Sequence, residues 1–345
     1  MLDKLIFRDC VFYDGYLYFV AEYPAGIPLR VNLENKEISL WEADDMSSLR
    51  MGLYDRMIEK DGIVYAVTSD MSVILEYKIR EHKVSSYDTG FSKVDIATAH
   101  MDICDGKLLV FGREDGMIVF DIKNKNCNFI EYGEDSKKYL TGISKGGECI
   151  LFSFDGLYRL VYNTKKNEIT KERNGQCFDD VIHVVNDEES VFVLQKDGRI
   201  FECEGDTVTE LSVDFSEVEE ENRSFMRLCV TKDNFFLLPF IGEKIVSVCK
   251  KEKKARVIHN YPKDYRYEEN DWAKYYGYAE NEDCACFAPR KSNYFPIIDK
   301  GSSKIKWVKA EVDEAFSFKF HIMSNKLVYE ADSGDLTKLI EAIRL

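Results

Sequence analysis

The feature that most constrains this chain is a turn dipeptide that returns at near-constant spacing. Asp14-Gly15, Asp61-Gly62, Asp105-Gly106, Gly146-Gly147, Asp187-Glu188, Asp233-Asn234, Glu282-Asp283 and Ser324-Asn325 recur at intervals of 41 to 49 residues. An Asx-Gly pair between apolar runs is a strong hairpin signal, because both central residues of a type I′ turn need positive φ. An apolar run follows each turn, as in Tyr16-Leu-Tyr-Phe-Val20, Ile63-Val-Tyr-Ala-Val67, Lys107-Leu-Leu-Val-Phe111 and Phe235-Phe-Leu-Leu-Pro239. A second run comes across a short loop, as in Leu29-Arg-Val-Asn-Leu33 or Met117-Ile-Val-Phe-Asp121, and a polar turn then leads to a final short strand.

Four antiparallel strands every 40 to 50 residues define a β-propeller blade. A lone blade cannot bury both faces of its sheet, so the blades must stack around an axis. This accounts for strands that are apolar on both faces. The expectation is an all-β, single-domain propeller over 1–345, with units near 9–50, 51–95, 96–138, 139–178, 179–218, 219–268, 269–314 and 315–345. Eight turns favour eight blades, with seven as the alternative. After Tyr329 the chain supplies either a third strand or a short helix capped by Ser333 or Asp335, since positions 336, 339, 340 and 343 have helical spacing. Leu5-Ile-Phe7 would add an outer strand to the final blade and close the ring.

Composition narrows the function classes. The chain has 47 Lys plus Arg against 62 Asp plus Glu, a formal charge of −15. Nucleic-acid binders concentrate basic residues to release counterions, so nucleic acid is not an expected partner. No run of 18 apolar residues is present, so a membrane span is not expected either. The start, MLDKLIFRDC, lacks a basic region followed by a long apolar one, which points to a cytoplasmic protein. Ten cysteines are scattered through apolar segments and read as reduced, buried thiols. Cys284 and Cys286 form the one close pair, without the second pair or nearby His that structural zinc needs, so no metal and no cofactor is expected.

Residues 14–41, Asp14-Gly-Tyr-Leu-Tyr-Phe-Val and then Leu29-Arg-Val-Asn-Leu-Glu-Asn-Lys-Glu-Ile-Ser-Leu-Trp41, resemble bacterial propeller repeats of the quinoprotein-like and TolB-like kind. The resemblance covers the chain as a pattern and implies the fold. Blade-ending Trp-Asp, kelch Gly-Gly, Asp-box and Tyr-Trp-Thr-Asp motifs are all absent, as is the tryptophan-docking motif of quinone-dependent dehydrogenases. It therefore carries over no site residue.

In such a ring, the second-to-third loops and the inter-blade connections share one face, and binding residues concentrate on loops held by a rigid scaffold. Candidates there are Arg50, His100, Arg113 and Arg223, together with Arg290 and Asn293 of the loop after Pro289. The long aromatic segment Tyr265–Tyr276 adds Trp272, Tyr275 and Tyr276, the residue types from which binding hot spots are made. His82, His100, His183, His259 and His321 show no metal-ligand spacing, and no GxSxG, P-loop or GxGxxG sequence occurs. The reading is a monomeric, non-enzymatic binding or scaffold protein presenting a peptide, protein or glycan site. The acidic balance favours a cationic partner. The alternative is a carbohydrate-active enzyme, a glycosidase or lyase, with paired carboxylates in the central funnel.

Overall fold

The computed structural model describes residues 6–23, 28–43, 54–91, 98–133, 138–173, 178–187, 190–204, 207–240, 244–266, 275–289 and 292–309. They form seven four-stranded antiparallel sheets, each built from consecutive strands. The inner strands are Ile6–Tyr13, Tyr54–Lys60, Thr98–Cys104, Tyr139–Lys145, Val181–Asp187, Phe225–Val230 and Tyr275–Glu280, one for each of blades 1 to 7. Each inner strand packs on that of the next blade, and Tyr275–Glu280 packs on Ile6–Tyr13, which closes the ring.

Seven blades, not the favoured eight, therefore make the circle. The eighth turn signal, Ser324-Asn325, and the strand-or-helix alternative beyond Tyr329 lie outside the described residues. The expected role of the N-terminus is also corrected, because Ile6–Tyr13 is the inner strand of blade 1 rather than the outer strand of blade 7.

The glycine turns behave as their chemistry requires. Asp14, Asp61 and Asp105 have φ of 46°, 54° and 50°, and the glycine after each has φ of 76°, 80° and 73°. Blade 7 replaces glycine with a side-chain cap: Asn281 Oδ1 accepts the N–H groups of Asp283 (3.0 Å) and Cys284 (2.8 Å). Such an Asx turn fixes the bend without left-handed backbone.

Burial follows position in the blade. Second strands such as Lys107–Gly112 and Asn234–Pro239 are buried on both faces after their first residue. Outer strands such as Asn126–Glu131 and Glu168–Arg173 alternate exposed and half-buried positions and carry charges, which blunts an edge otherwise open to pairing. Apolar clusters fill the seams between neighbouring blades. Leu109, Phe111 and Leu151 join blades 3 and 4, Phe192, Leu228 and Phe235 join blades 5 and 6, and Cys10, Phe19, Cys286 and Phe295 join blade 1 to blade 7. Fully burying each such side chain contributes about 1.5–3 kcal/mol.

Among the described residues no strand is exchanged between blades 7 and 1, and this seam is held by packing, by Lys306 Nζ donating to the Leu33 carbonyl (2.6 Å) and by one carboxylate. Asp9 Oδ1 accepts the Tyr278 N–H of blade 7 (3.1 Å), while its Oδ2 accepts the Met57 N–H of blade 2 (2.9 Å). Gly277 makes room for this contact, since a Cβ there would lie 2.4 Å from the Arg8 carbonyl oxygen and 2.7 Å from Asp9 Cα.

Candidate functional site

Every inner strand shifts register against its second strand near its start, once in blades 2 to 7 and twice in blade 1. A bulge re-aims the following side chain. The residue that re-enters register is Arg56, His100, Thr141, His183, Arg227 or Gly277 in blades 2 to 7, and Asp9 stands at the corresponding place in blade 1. One polar side chain per blade, in six of seven blades, thus reaches the same level of the axial channel. Some of these side chains stitch blades together. Thr141 Oγ1 accepts the Val184 N–H (3.1 Å), as Asp9 accepts that of Met57. His183 Nδ1 accepts the Leu228 N–H (3.0 Å), which places the ring proton of the neutral imidazole on Nε2.

The channel encloses a cavity of about 340 Å³ lined by Arg56, His100, Asp102, His183, Arg227 and Glu280 among others. Burial holds His183 well below the usual imidazole range, reinforced by Arg227 and Arg56. Burial also brings His100 down to about 4, with Asp102 opposing and Arg56 assisting. His100 Nε2 is buried and makes no hydrogen bond among the described residues. Its ring packs near Phe111, with centroids 6.0 Å apart, and close to Gly142, where a Cβ would lie 3.1 Å from His100 Cγ. Burial raises the Asp9 carboxyl, opposed by Arg56 and the two backbone N–H groups.

At the loop-rich end, the channel opens into a second cavity of about 200 Å³. Its walls are Leu140, Phe154, Ile182, Met226 and Phe240, and its polar side chains are Arg56, Arg113, Lys196 and Arg227. Arg113, Phe154, Lys196 and Phe240 each stand just beyond the second strand of blades 3 to 6, so the blade repeat itself positions them around the axis. Lys196 Nζ lies 5.0 Å from the centre of the Phe240 ring. Among the described lining residues there are four cations and no carboxylate. Arg56 also stands 4.0 Å from Asp9 at the channel level below. In a chain of charge −15 the mouth is therefore locally positive.

The structure brings together two of the residues singled out from sequence: His100 in the channel and Arg113 at its mouth. Arg223 braces its own connection by donating to the carbonyls of Phe215 (2.8 Å) and Val218 (2.7 Å). Tyr275 is fully buried on the inner strand of blade 7, its hydroxyl 2.7 Å from that of Tyr265. Asn293, also fully buried, pins a loop by accepting from the Arg266 N–H (2.8 Å) and donating to the Asp264 carbonyl (2.9 Å). Tyr276 belongs to the same strand as Tyr275. Arg50, Trp272 and Arg290 lie outside the described residues. Sequence reasoning missed Arg56, His183, Lys196 and Arg227. The available signal was a polar residue recurring just ahead of an apolar stretch once per repeat.

No protein-family profile matches the sequence, and no curated protein does. Solved structures match in fold. Virginiamycin B lyase from Staphylococcus aureus has a TM-score of 0.62 at 10% identity, over 84% of this chain and 94% of that one. PorZ, a surface component of the type-IX secretion system of Porphyromonas gingivalis, has a TM-score of 0.60 at 13% identity. That match covers 90% of this chain and 39% of PorZ. The extracellular domain of a candidate one-component system from B. thetaiotaomicron has a TM-score of 0.59 at 14% identity, covering 91% of this chain and 42% of that one. At these identities the likeness defines the class, a β-propeller, and leaves function to the residues of this chain.

Proposed function

We propose that this propeller is a binding protein whose ligand places an anionic group, a carboxylate or phosphate, in the channel mouth. The observation that carries this reading is the mouth lining of Arg56, Arg113, Lys196 and Arg227 on apolar walls, with no carboxylate among the described lining residues. Arginine matches carboxylate and phosphate oxygens with paired donors, and apolar walls keep those contacts out of bulk water. The reading departs from a cationic partner because the recognising charge is local, whereas net charge governs solubility and encounter.

A paired-carboxylate enzyme draws less support. Both Asp9 oxygens accept backbone N–H groups, and Glu280 holds Lys300 at 2.7 Å. Neither is placed as an exchangeable acid or base. The test is titration calorimetry with small carboxylates and phosphates bearing an apolar body. Saturable binding is expected, with affinity falling about tenfold in each of Arg113→Gln and Arg227→Gln, the loss of one charge-assisted contact. Affinity that both variants leave unchanged would refute the reading.

A further inference from the structure

The seam that closes the ring brings two thiols together. Cys10 stands on the inner strand of blade 1 directly opposite Phe19, and so on the same face of that sheet. That face looks toward blade 7, because the Phe19 ring lies 6.1 Å from that of Phe295. Cys286 stands on the second strand of blade 7, opposite Ala279 and two residues from Ala288, and alternate residues of a strand share a face. Ala288 sits opposite Gly277. A Cβ on Gly277 would lie 2.7 Å from both Ala288 Cβ and Asp9 Cα, so this face of blade 7 meets blade 1. Cys10 and Cys286 are buried in one apolar cluster, free of any disulfide, and their side chains share a hydrogen bond. Cys149 offers the contrast, its sulfur accepting from the Ser144 hydroxyl (3.0 Å).

We infer that Cys10 and Cys286 are a modification site: when the chain folds beside a small-molecule disulfide such as glutathione disulfide, they become a disulfide that latches blade 1 to blade 7. One cysteine thiolate attacks a glutathione sulfur, forming a mixed disulfide and expelling one glutathione thiolate. The other cysteine thiolate then attacks the sulfur of the first, and the protein disulfide forms as the second glutathione leaves. Two cysteine thiols are oxidised and one glutathione disulfide is reduced to two thiols, which take up the two protons that the cysteines release. Timing follows from burial. In the closed ring, desolvation holds the Cys10 thiol well above the ordinary thiol range, and a covered, protonated thiol exchanges slowly. Before blade 7 meets blade 1, neither that burial nor the partner thiol covers Cys10. The cross-link would enclose most of the chain, and closing a long loop restricts the unfolded state most.

In the test, the full-length chain is synthesised in a cell-free system with a glutathione mixture rich either in the disulfide or in the thiol. Remaining thiols are blocked under denaturation, the protein is digested without reduction, and cross-linked peptides are read by tandem mass spectrometry. A Cys10–Cys286 cross-link is expected in the oxidised pool alone, with a thermal midpoint at least about 3 °C above that of the reduced pool. Cys284→Ser, which removes the half-buried neighbour two residues away, should keep both the cross-link and the rise. Cys10→Ala and Cys286→Ala should each lose both, every variant being compared with its own reduced form so that packing losses cancel. Folded, reduced protein moved into the oxidising mixture should gain the cross-link at least about tenfold more slowly than the chain during synthesis. Absence of the cross-link from the oxidised pool overturns the latch, as does a cross-link that leaves the midpoint unchanged or that Cys284→Ser abolishes. Equal rates for the folded and the newly made chain overturn the timing. If an alanine variant does not fold, the cross-linked peptide and the midpoint of the native chain decide the question alone.

Discussion

The two ends of the axial channel use similar side chains to opposite effect. At the loop-rich end, Arg56, Arg113, Lys196 and Arg227 converge on apolar walls, and no acidic side chain is among the described residues of that cavity. Toward the other end, Lys232, Lys250 and Lys300 share a larger pocket between blades 5, 6 and 7 with Asp187, Glu280 and Glu282. There two pairs are matched, with Lys300 at 2.7 Å from Glu280 and Lys250 at 4.0 Å from Asp187. An ion paired with its neighbour has little field left for a ligand, whereas the mouth cavity sets its cations against apolar side chains. Arrangement, more than the number of lysines and arginines, separates the proposed receptor end from the other.

The largest effect expected to probe this contrast comes from pH. The folded-state pKa of His100, about 4, lies below the ordinary 6.5, so the unfolded chain binds the extra proton first. Its contribution to stability is complete above pH 6.5 and is lost as pH falls toward 4, amounting to roughly 3 kcal/mol. Chemical denaturation at pH 7 and pH 4.5 should show that loss, and His100→Gln should lessen it. An unaltered acid response in the variant would mean that the channel does not hold this imidazole neutral.

Charge reversal at the mouth should come next. Arg56→Glu combined with Arg227→Glu is expected to weaken anion binding at least a hundredfold, about 2.7 kcal/mol. Lys250→Glu with Lys300→Glu at the far end should change it less than threefold. Comparable losses from the two pairs would erase the distinction drawn here. A smaller effect is expected of Asp9→Asn, which replaces one accepting oxygen with an amide donor facing a backbone N–H. The cost is about 1–3 kcal/mol, read as a lower urea midpoint. Smallest of all, Lys300→Met should shift stability by less than about 1 kcal/mol, since the pair with Glu280 is partly solvated.

Much of the fold was legible because its causes are local. Asp14-Gly15, Asp61-Gly62 and Asp105-Gly106 announce hairpins through backbone chemistry that any reader of sequence can apply, and the alternation of blade strands follows from burial. The number of blades was not legible in the same way. Eight turn signals count hairpins, but the circle closes where Gly277 lets Asp9 approach, a contact between residues 269 positions apart for Tyr278. The site was half legible. Arg113 could be found from its loop and His100 as a residue of the connection before blade 3, although it stands on the inner strand Thr98–Cys104. Arg56 and Arg227 look like ordinary charges until the bulges align them with His100 and His183. The aromatic segment misled at Tyr275, whose ring the inner strand of blade 7 takes into the interior.

The Asp9 clasp bears on how the molecule comes into being. Asp9 is made 269 residues before its partner Tyr278, and among the described residues no exchanged strand holds the two ends in register. Non-local pairing of this kind delays folding, because chain entropy must be lost before the contact forms. Until Tyr278 is made, the blades thus form an open arc whose first blade waits with a bare flank for the seventh.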